Sequence, residues 1–482
     1  MSATILLITF LIYTGLLFLI AHFTSKKVDN TQYFKGNRRS NWFLVAYGMI
    51  GASLSGVSFM SVPGNVYNEN FYYVPMLIGF LFGYGIIALV LLPLYFRMNL
   101  TSIYSYLEGR FGTYSYKTGA VFFIVSRLLG AAVRTFLVIF VLYNFVLKDM
   151  NVPFWVAAVL FVLLAIFYTM KGGVKTIIWT DTLQTTFMIV AVFLSVYFIC
   201  KELGWGVIDL FSNVKESSYS TVLDTNIESS SNWIKRFLSG VLVPIAMTGL
   251  DQAMMQKSLS CKNVKEAQKN VMTSVIMMLP INILFLSLGA VLAIYLQQHQ
   301  ELLPELIGKF GKVEADKIFP SIAFSLKPVV GIVFFIGLIS AAYPTCANAL
   351  TSLTTSTCID IVGFEKRDWS EDKKSKIRWG ITSIIALLFV ILIIAFNILK
   401  NDAVINLVYG IAAYTYGPLL GLFMFGIITK VKTLDKAVPF VCLAAPLICF
   451  LIEQYIFSFG FSLIAVCALI TFVGLFVFKE KK

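Results

Sequence analysis

Between residues 51 and 58 an apolar segment turns into Gly51-Ala52-Ser53-Leu54-Ser55-Gly56-Val57-Ser58. Glycine loosens a helix, and serine competes for its backbone hydrogen bonds. Inside hydrocarbon, freed carbonyls persist only where they line a cavity or bind something, so such a break points to an ion or substrate site. The same residues also suit a small-residue face for helix packing. Arg127 and Arg134 lie seven residues apart, two turns along one helical face. Intramembrane arginines line a cavity, pair with carboxylates or snorkel, and guanidinium groups grip carboxylates in bidentate fashion. For these two the candidate structural partners are Asp181 and Glu453. Asp181 lies within another apolar segment, where a carboxylate needs a partner; it either supports a cation or caps a helix after Gly172-Gly173.

The elements that carry these residues follow from composition. The chain has 482 residues, 58% of them hydrophobic and 13% charged, and apolar runs recur from end to end. Each run is long enough to cross ~30 Å of hydrocarbon. The chain reads as all-α and polytopic, with about thirteen transmembrane helices at 4–22, 41–62, 73–97, 116–147, 153–171, 177–200, 233–255, 269–297, 325–360, 377–399, 403–429, 437–456 and 460–478. The first is read as a retained span, because no basic region precedes it and no cleavage site follows.

The net charge of +13 does not indicate a nucleic-acid partner, because the basic residues fall in alternate loops. Lys26, Lys27, Lys35, Arg38 and Arg39 follow the first span, Arg97, Arg110 and Lys117 the third, and Lys171 and Lys175 the fifth. Lys257, Lys262, Lys265 and Lys269 follow the seventh, and Lys479, Lys481 and Lys482 close the chain. The positive-inside rule places the N-terminus outside and the C-terminus in the cytoplasm. Segment 201–232 is then an outside loop with a short amphipathic piece, and 362–376 a cytoplasmic loop. The cysteines, Cys449 among them, form no CxxC pair, and there are only two histidines, so neither a disulfide framework nor a zinc site is expected. No nucleophile–base pair suggests an enzyme. Tyr409, Tyr414, Thr415 and Tyr416 read as belt or packing residues, with an outer gate as the alternative, and Gly417-Pro418 is expected to bend their helix.

Spans two to six form one group of five, and spans seven to eleven another. Five is odd, so the second group inserts upside down. The first helix of each group is interrupted, at Gly51 to Ser58 and at Val243-Pro244-Ile245-Ala246-Met247-Thr248-Gly249. Matching interruptions suggest inverted repeats with a site at their interface. The expected organisation is one transporter domain: an extra helix and basic loop (1–40), repeat 1 (41–200), an external loop (201–232), repeat 2 (233–429) and two C-terminal helices (430–482).

The stretch Gly51–Pro63 resembles the core first helix of the sodium/solute symporter family. So do Tyr33-Phe34-Lys35-Gly36-Asn37-Arg38 before it and Thr101–Phe111 after the third span. Gly172–Asp181 is similar to the approach to the family's core fifth helix, Asp251-Gln252 with Gln256-Lys257 to the pattern below its core sixth, and Ala347–Asp360 to its Ser/Thr-rich core eighth. The chain resembles a bacterial member. The resemblance implies a LeuT-type five-plus-five inverted repeat and sodium-coupled symport of a small polar organic solute by alternating access. A proton-coupled or sodium-independent carrier on the same fold is the alternative. The resemblance further implies Na+ as coupling ion and, as partners, a small-molecule solute and the lipid bilayer, with no nucleic acid and no obligate protein partner evident; the expected location is the cell membrane (the inner membrane in a diderm).

Carried over position by position, the main sodium site falls on Gly51, Leu54, Ala341, Pro344 and Thr345. Pro344 stands where a hydroxyl is usual; lacking an N–H, it frees the Ser340 carbonyl to face the ion, or else simply kinks the helix. Asp181 and Asn348 form a supporting or second sodium site, with Ala347 and Asn348 where some members have serines. Substrate candidates are Ser53, Ser55, Ser58, Tyr73, Arg127, Arg134, Met247 and Thr248. Pro244, Met247 and Leu77 replace polar residues of the family's hexose carriers and argue against a hexose. The arginine of its sialic-acid carriers aligns with Gly130, between Arg127 and Arg134. The expected solute carries a carboxylate: a sugar acid, sialic acid, amino acid or monocarboxylate.

Overall fold

The computed structural model describes residues 3–24, 40–148, 150–169, 173–308, 311, 313–399, 404–456, 459 and 462–480. The motif at 33–38, the basic residues between 26 and 39, Lys171, Gly172, Lys481 and Lys482 lie outside them, as do the side chains of Lys175 and Tyr409.

Every apolar run of the sequence has a helical counterpart. In chain order these are α1 (Ala3–Thr24), α2 (Trp42–Ser53), α3 (Gly56–Glu69), α4 (Val74–Arg97), α5 (Thr113–Leu142), α6 (Phe154–Thr169) and α7 (Gly173–Glu202). A short helix outside the apolar spans, α8 (Val207–Glu216), is the amphipathic piece expected in 201–232. Then come α9 (Trp233–Gly249), α10 (Gln252–Leu259), α11 (Val264–Gln298), α12 (Ala315–Ser325), α13 (Pro328–Val362), α14 (Glu371–Leu399), α15 (Val404–Ile428), α16 (Val438–Tyr455) and α17 (Leu463–Val477). Among the described residues, nine helices are long and apolar enough to cross a membrane, and α2–α3 and α9–α10 are bent pairs that together do the same. Large side chains such as Leu89, Phe193 and Phe440 are exposed on the outside of the bundle, as a lipid-facing surface requires.

The first break falls where the small residues are. Asn41 caps α2, its side chain accepting from the Phe43 N–H at 2.9 Å. The helix stops at Ser53, Leu54 and Ser55 are extended, and α3 leaves at 60°. The second break corrects the expectation. Helix α9 continues through Pro244, and a π-turn over Ile245–Gly249 absorbs the lost hydrogen bond. The chain turns by 69° only at Leu250-Asp251. There Asp251 starts α10 by accepting from the N–H groups of Ala253 (2.8 Å) and Met254 (3.2 Å). A side chain thus satisfies backbone donors that have no water to turn to.

Glycines set the closest approaches. A Cβ on Gly240 in α9 would lie 2.2 Å from the Met76 carbonyl of α4, and one on Gly79 would lie 2.3 Å from the Phe237 carbonyl. Their absence lets α4 and α9 cross backbone to backbone, which lipid-embedded helices use in place of a hydrophobic drive. Helix α15 runs as a single helix through Gly417-Pro418; Gly417 instead makes room for α17, where its Cβ would meet that of Cys467 at 2.6 Å. Gly240→Val should destabilise the detergent-solubilised protein by about 1–3 kcal/mol, read as a lower Tm, because the clash is with backbone. Gly15→Ala, with nothing within 4 Å of the added carbon, should leave Tm within error of the parent.

Candidate solute cavity and cation positions

A cavity of about 1120 Å³, open mouth included, lies against the first break and the π-turn of α9. All eight substrate candidates line it: Ser53, Ser55 and Ser58 from the first break, Tyr73 from the start of α4, Arg127 and Arg134 from α5, Met247 and Thr248 from the π-turn. The wall also includes Tyr84, Ser126, Gly130, Asn282 and Tyr416. Tyr84 bridges to Thr248 (3.4 Å between hydroxyls), tying α4 to the π-turn. Sequence reading missed Asn282, a lone amide in an apolar run, and assigned Tyr416 to packing. Leu77 is buried and does not line the cavity. Among the described residues, the only charged side chains on the wall are the two arginines.

Arg127 is held by Asp251, with Nη1 3.4 Å from Oδ2 and both side chains buried. The Tyr416 hydroxyl donates to the same Oδ2 at 2.6 Å. One carboxylate therefore caps α10, pairs with α5 and accepts from α15. The expected partners are engaged elsewhere: Asp181 by Lys257, and Glu453 by the Tyr414 hydroxyl. The second break is capped by a carboxylate, and that carboxylate is also the partner of Arg127.

Gly51 and Leu54 end α2, and Ala341, Pro344 and Thr345 lie on α13, which packs against it. The Thr345 hydroxyl donates to the Ala341 carbonyl at 3.2 Å. Helix α7 closes the third side, close enough that a Cβ on Gly51 would fall 2.2 Å from the Thr185 Oγ1. Helix α13 stays continuous across Pro344. One turn beyond Asp181 on α7, Gln184 is fully buried, and neither its amide oxygen nor its nitrogen has a hydrogen-bond partner among the described residues.

Asp181 lies eight residues inside α7, so it is no helix cap. Its side chain is 1% exposed, and Oδ2 accepts from Asn348 Nδ2 at 3.2 Å, the pairing that the spacing 345/348 suggests. The same oxygen forms an ion pair with Lys257. Lys257 is thereby removed from the basic loop residues: it sits on α10 with its side chain 3% exposed. Burial of a lysine near the end of a polar half-helix leaves no periodic signature in sequence, and its membership of the Gln256-Lys257 motif was the one available signal.

The Asp251 network carries a stability prediction. Asp251→Ala removes the cap and strands a buried guanidinium, a loss of about 3–5 kcal/mol. Tyr416→Phe removes one hydrogen bond to a charge, about 1.5–3 kcal/mol. Thermal melts of the purified protein should rank wild type above Tyr416→Phe above Asp251→Ala.

Residues 33–437 match the Sodium:solute symporter family. The chain is 25% identical over 431 residues to the sodium/sialic acid symporter NanT of Aliivibrio fischeri, covering 86% of this chain and 81% of that one. It is 24% identical over 404 residues to the human sodium/iodide cotransporter, covering 82% of this chain and 60% of that one. A solved substrate-bound, outward-open Na+-coupled sialic acid symporter superposes with a TM-score of 0.83 at 22% identity, covering 98% of this chain and 97% of that one. The fold is that of this LeuT-type transporter, and the chain belongs to the sodium:solute symporter family, as a multi-pass membrane protein that couples solute import to Na+.

Proposed function

We propose that the imported solute is a small organic anion whose carboxylate is received by Arg134 and, more remotely, by Arg127. The observation that carries this reading is the charge of the cavity: among the described residues, two guanidinium groups and no carboxylate on its wall. Arg127 also pairs with Asp251. Arg134, two turns away on α5, faces the same space. Guanidinium grips a carboxylate through two parallel hydrogen bonds. Ser53, Ser55, Ser58, Thr248 and Asn282 would serve the hydroxyl or amide groups of a sugar acid such as a sialic acid. Relatives named for sialic acid and for iodide both handle anions.

We further infer that sodium binds between the end of α2 and α13, using the Gly51, Leu54 and Ala341 carbonyls and the Thr345 hydroxyl. The Ser340 carbonyl freed by Pro344, with the orphaned Gln184 oxygen, would offset the hydroxyl that Pro344 lacks. Leu54 also lines the solute cavity, so ion and solute share one break. The chain is read as two inverted repeats, 41–200 and 233–429, with the N-terminus outside and the C-terminus cytoplasmic; the bends of 60° and 69° in the first helix of each group support that division.

Uptake into proteoliposomes under an imposed sodium gradient tests the solute. Arg134→Ala should lower uptake of a carboxylate solute at least tenfold, and Arg134→Lys should recover only part of it. Competition by iodide but by no carboxylate, or full uptake in Arg134→Ala, would overturn the organic-anion reading. Melting in sodium against potassium chloride tests the ion. Sodium at tenfold its Kd should add about 1.4 kcal/mol in wild type, and Thr345→Ala should lose that increment.

A further inference from the structure

We propose that the Lys257 ammonium is a built-in cation held on Asp181 Oδ2 beside Asn348, so that no sodium ion binds there and the carrier takes one sodium ion per cycle. This rests on the main sodium site inferred at α2 and α13.

The Asp181 carboxylate is desolvated inside a bundle, next to α13 and its Asn348. Such a group requires a countercharge, and a cation arriving from solution is one way to supply it. Here the countercharge is covalently part of the chain, 76 residues away in sequence. An ammonium is a compact point charge with three donors, and it sits directly on Oδ2. A sodium ion sharing that oxygen would face the ammonium with no water between them, where like charges are poorly screened. Ala347 brings no hydroxyl, and Asn348 turns its amide nitrogen, a donor, towards the carboxylate. The remaining oxygen, Oδ1, accepts from no described group. Removing the ammonium would therefore leave a buried carboxylate with an unused oxygen, in a position that invites a cation.

Lys257 belongs to α10, the second half of the broken helix α9–α10. The built-in charge therefore travels with one of the two bent elements.

Equilibrium binding of radioactive sodium to the purified full chain tests this directly. Wild type should bind one ion per chain, with a non-cooperative titration. Lys257→Met should bind two, and Thr345→Ala should lose the one held by wild type. Two ions bound by wild type, or one ion bound by a folded Lys257→Met, would overturn the proposal. The paired variant Asp181→Asn with Lys257→Met removes both buried charges and guards against misfolding of the single variant. It should bind one ion; none bound would make Asp181 a ligand of the main ion and overturn the proposal. A Thr345→Ala chain that still binds one ion would refute the main site while leaving the count of one intact, so the two failures are distinguishable.

Discussion

A helix cannot be broken inside a membrane unless the protein itself satisfies the backbone groups that the break sets free. The rest of this structure depends on how that constraint is met twice. At Leu54-Ser55 two extended residues separate α2 from α3, and the space beside them is a polar cavity. At Leu250-Asp251 a carboxylate caps the new helix and draws Arg127 and Tyr416 onto itself. One break is left open to ligands, and the other is closed by the protein's own charges. The cavity takes its polarity from the first and part of its positive charge from an arginine positioned by the second.

That division gives a physical route for coupling ion to solute. The carbonyls that would hold sodium and the serines that would meet solute belong to one short stretch, residues 51 to 58. A cation that fixes the end of α2 also fixes the serines next to it. Buried ion pairs contribute little net stability but are costly to break singly. Lys257–Asp181 and Arg127–Asp251 therefore act chiefly to fix where α10 sits against α7 and α5. Because α10 is half of a bent helix, both pairs bear on the element whose position would change between the open states of an alternating carrier.

How much of this could be read from the residues divides along sequence distance. The helices and the first break were legible, because apolar run length and small-residue clustering are local signals; Tyr73 came from the family resemblance, and only the packed bundle puts it on one wall with Arg127, Arg134 and the serines. The second break was displaced by several residues: proline and glycine mark where a helix is weakened, but the π-turn at Ile245–Gly249 shows that weakening need not end it. The charge partners were not legible. Arg127 and Asp251 are 124 residues apart, and Lys257 and Asp181 are 76 apart, so only the packed bundle decides which carboxylate meets which cation. Lys257 was read as a loop charge for the same reason: nothing local separates a buried lysine from a solvated one.

The central claim is that sodium and an organic anion bind at one break and assist each other. Its most direct test is reciprocity: the sodium affinity of purified protein without and with saturating carboxylate solute, and the solute affinity without and with saturating sodium. The account predicts that each ligand tightens the other by the same factor, as linkage requires of two sites coupled through one element. Solute affinity that is the same in sodium and in potassium, with sodium affinity unmoved by solute, would contradict it.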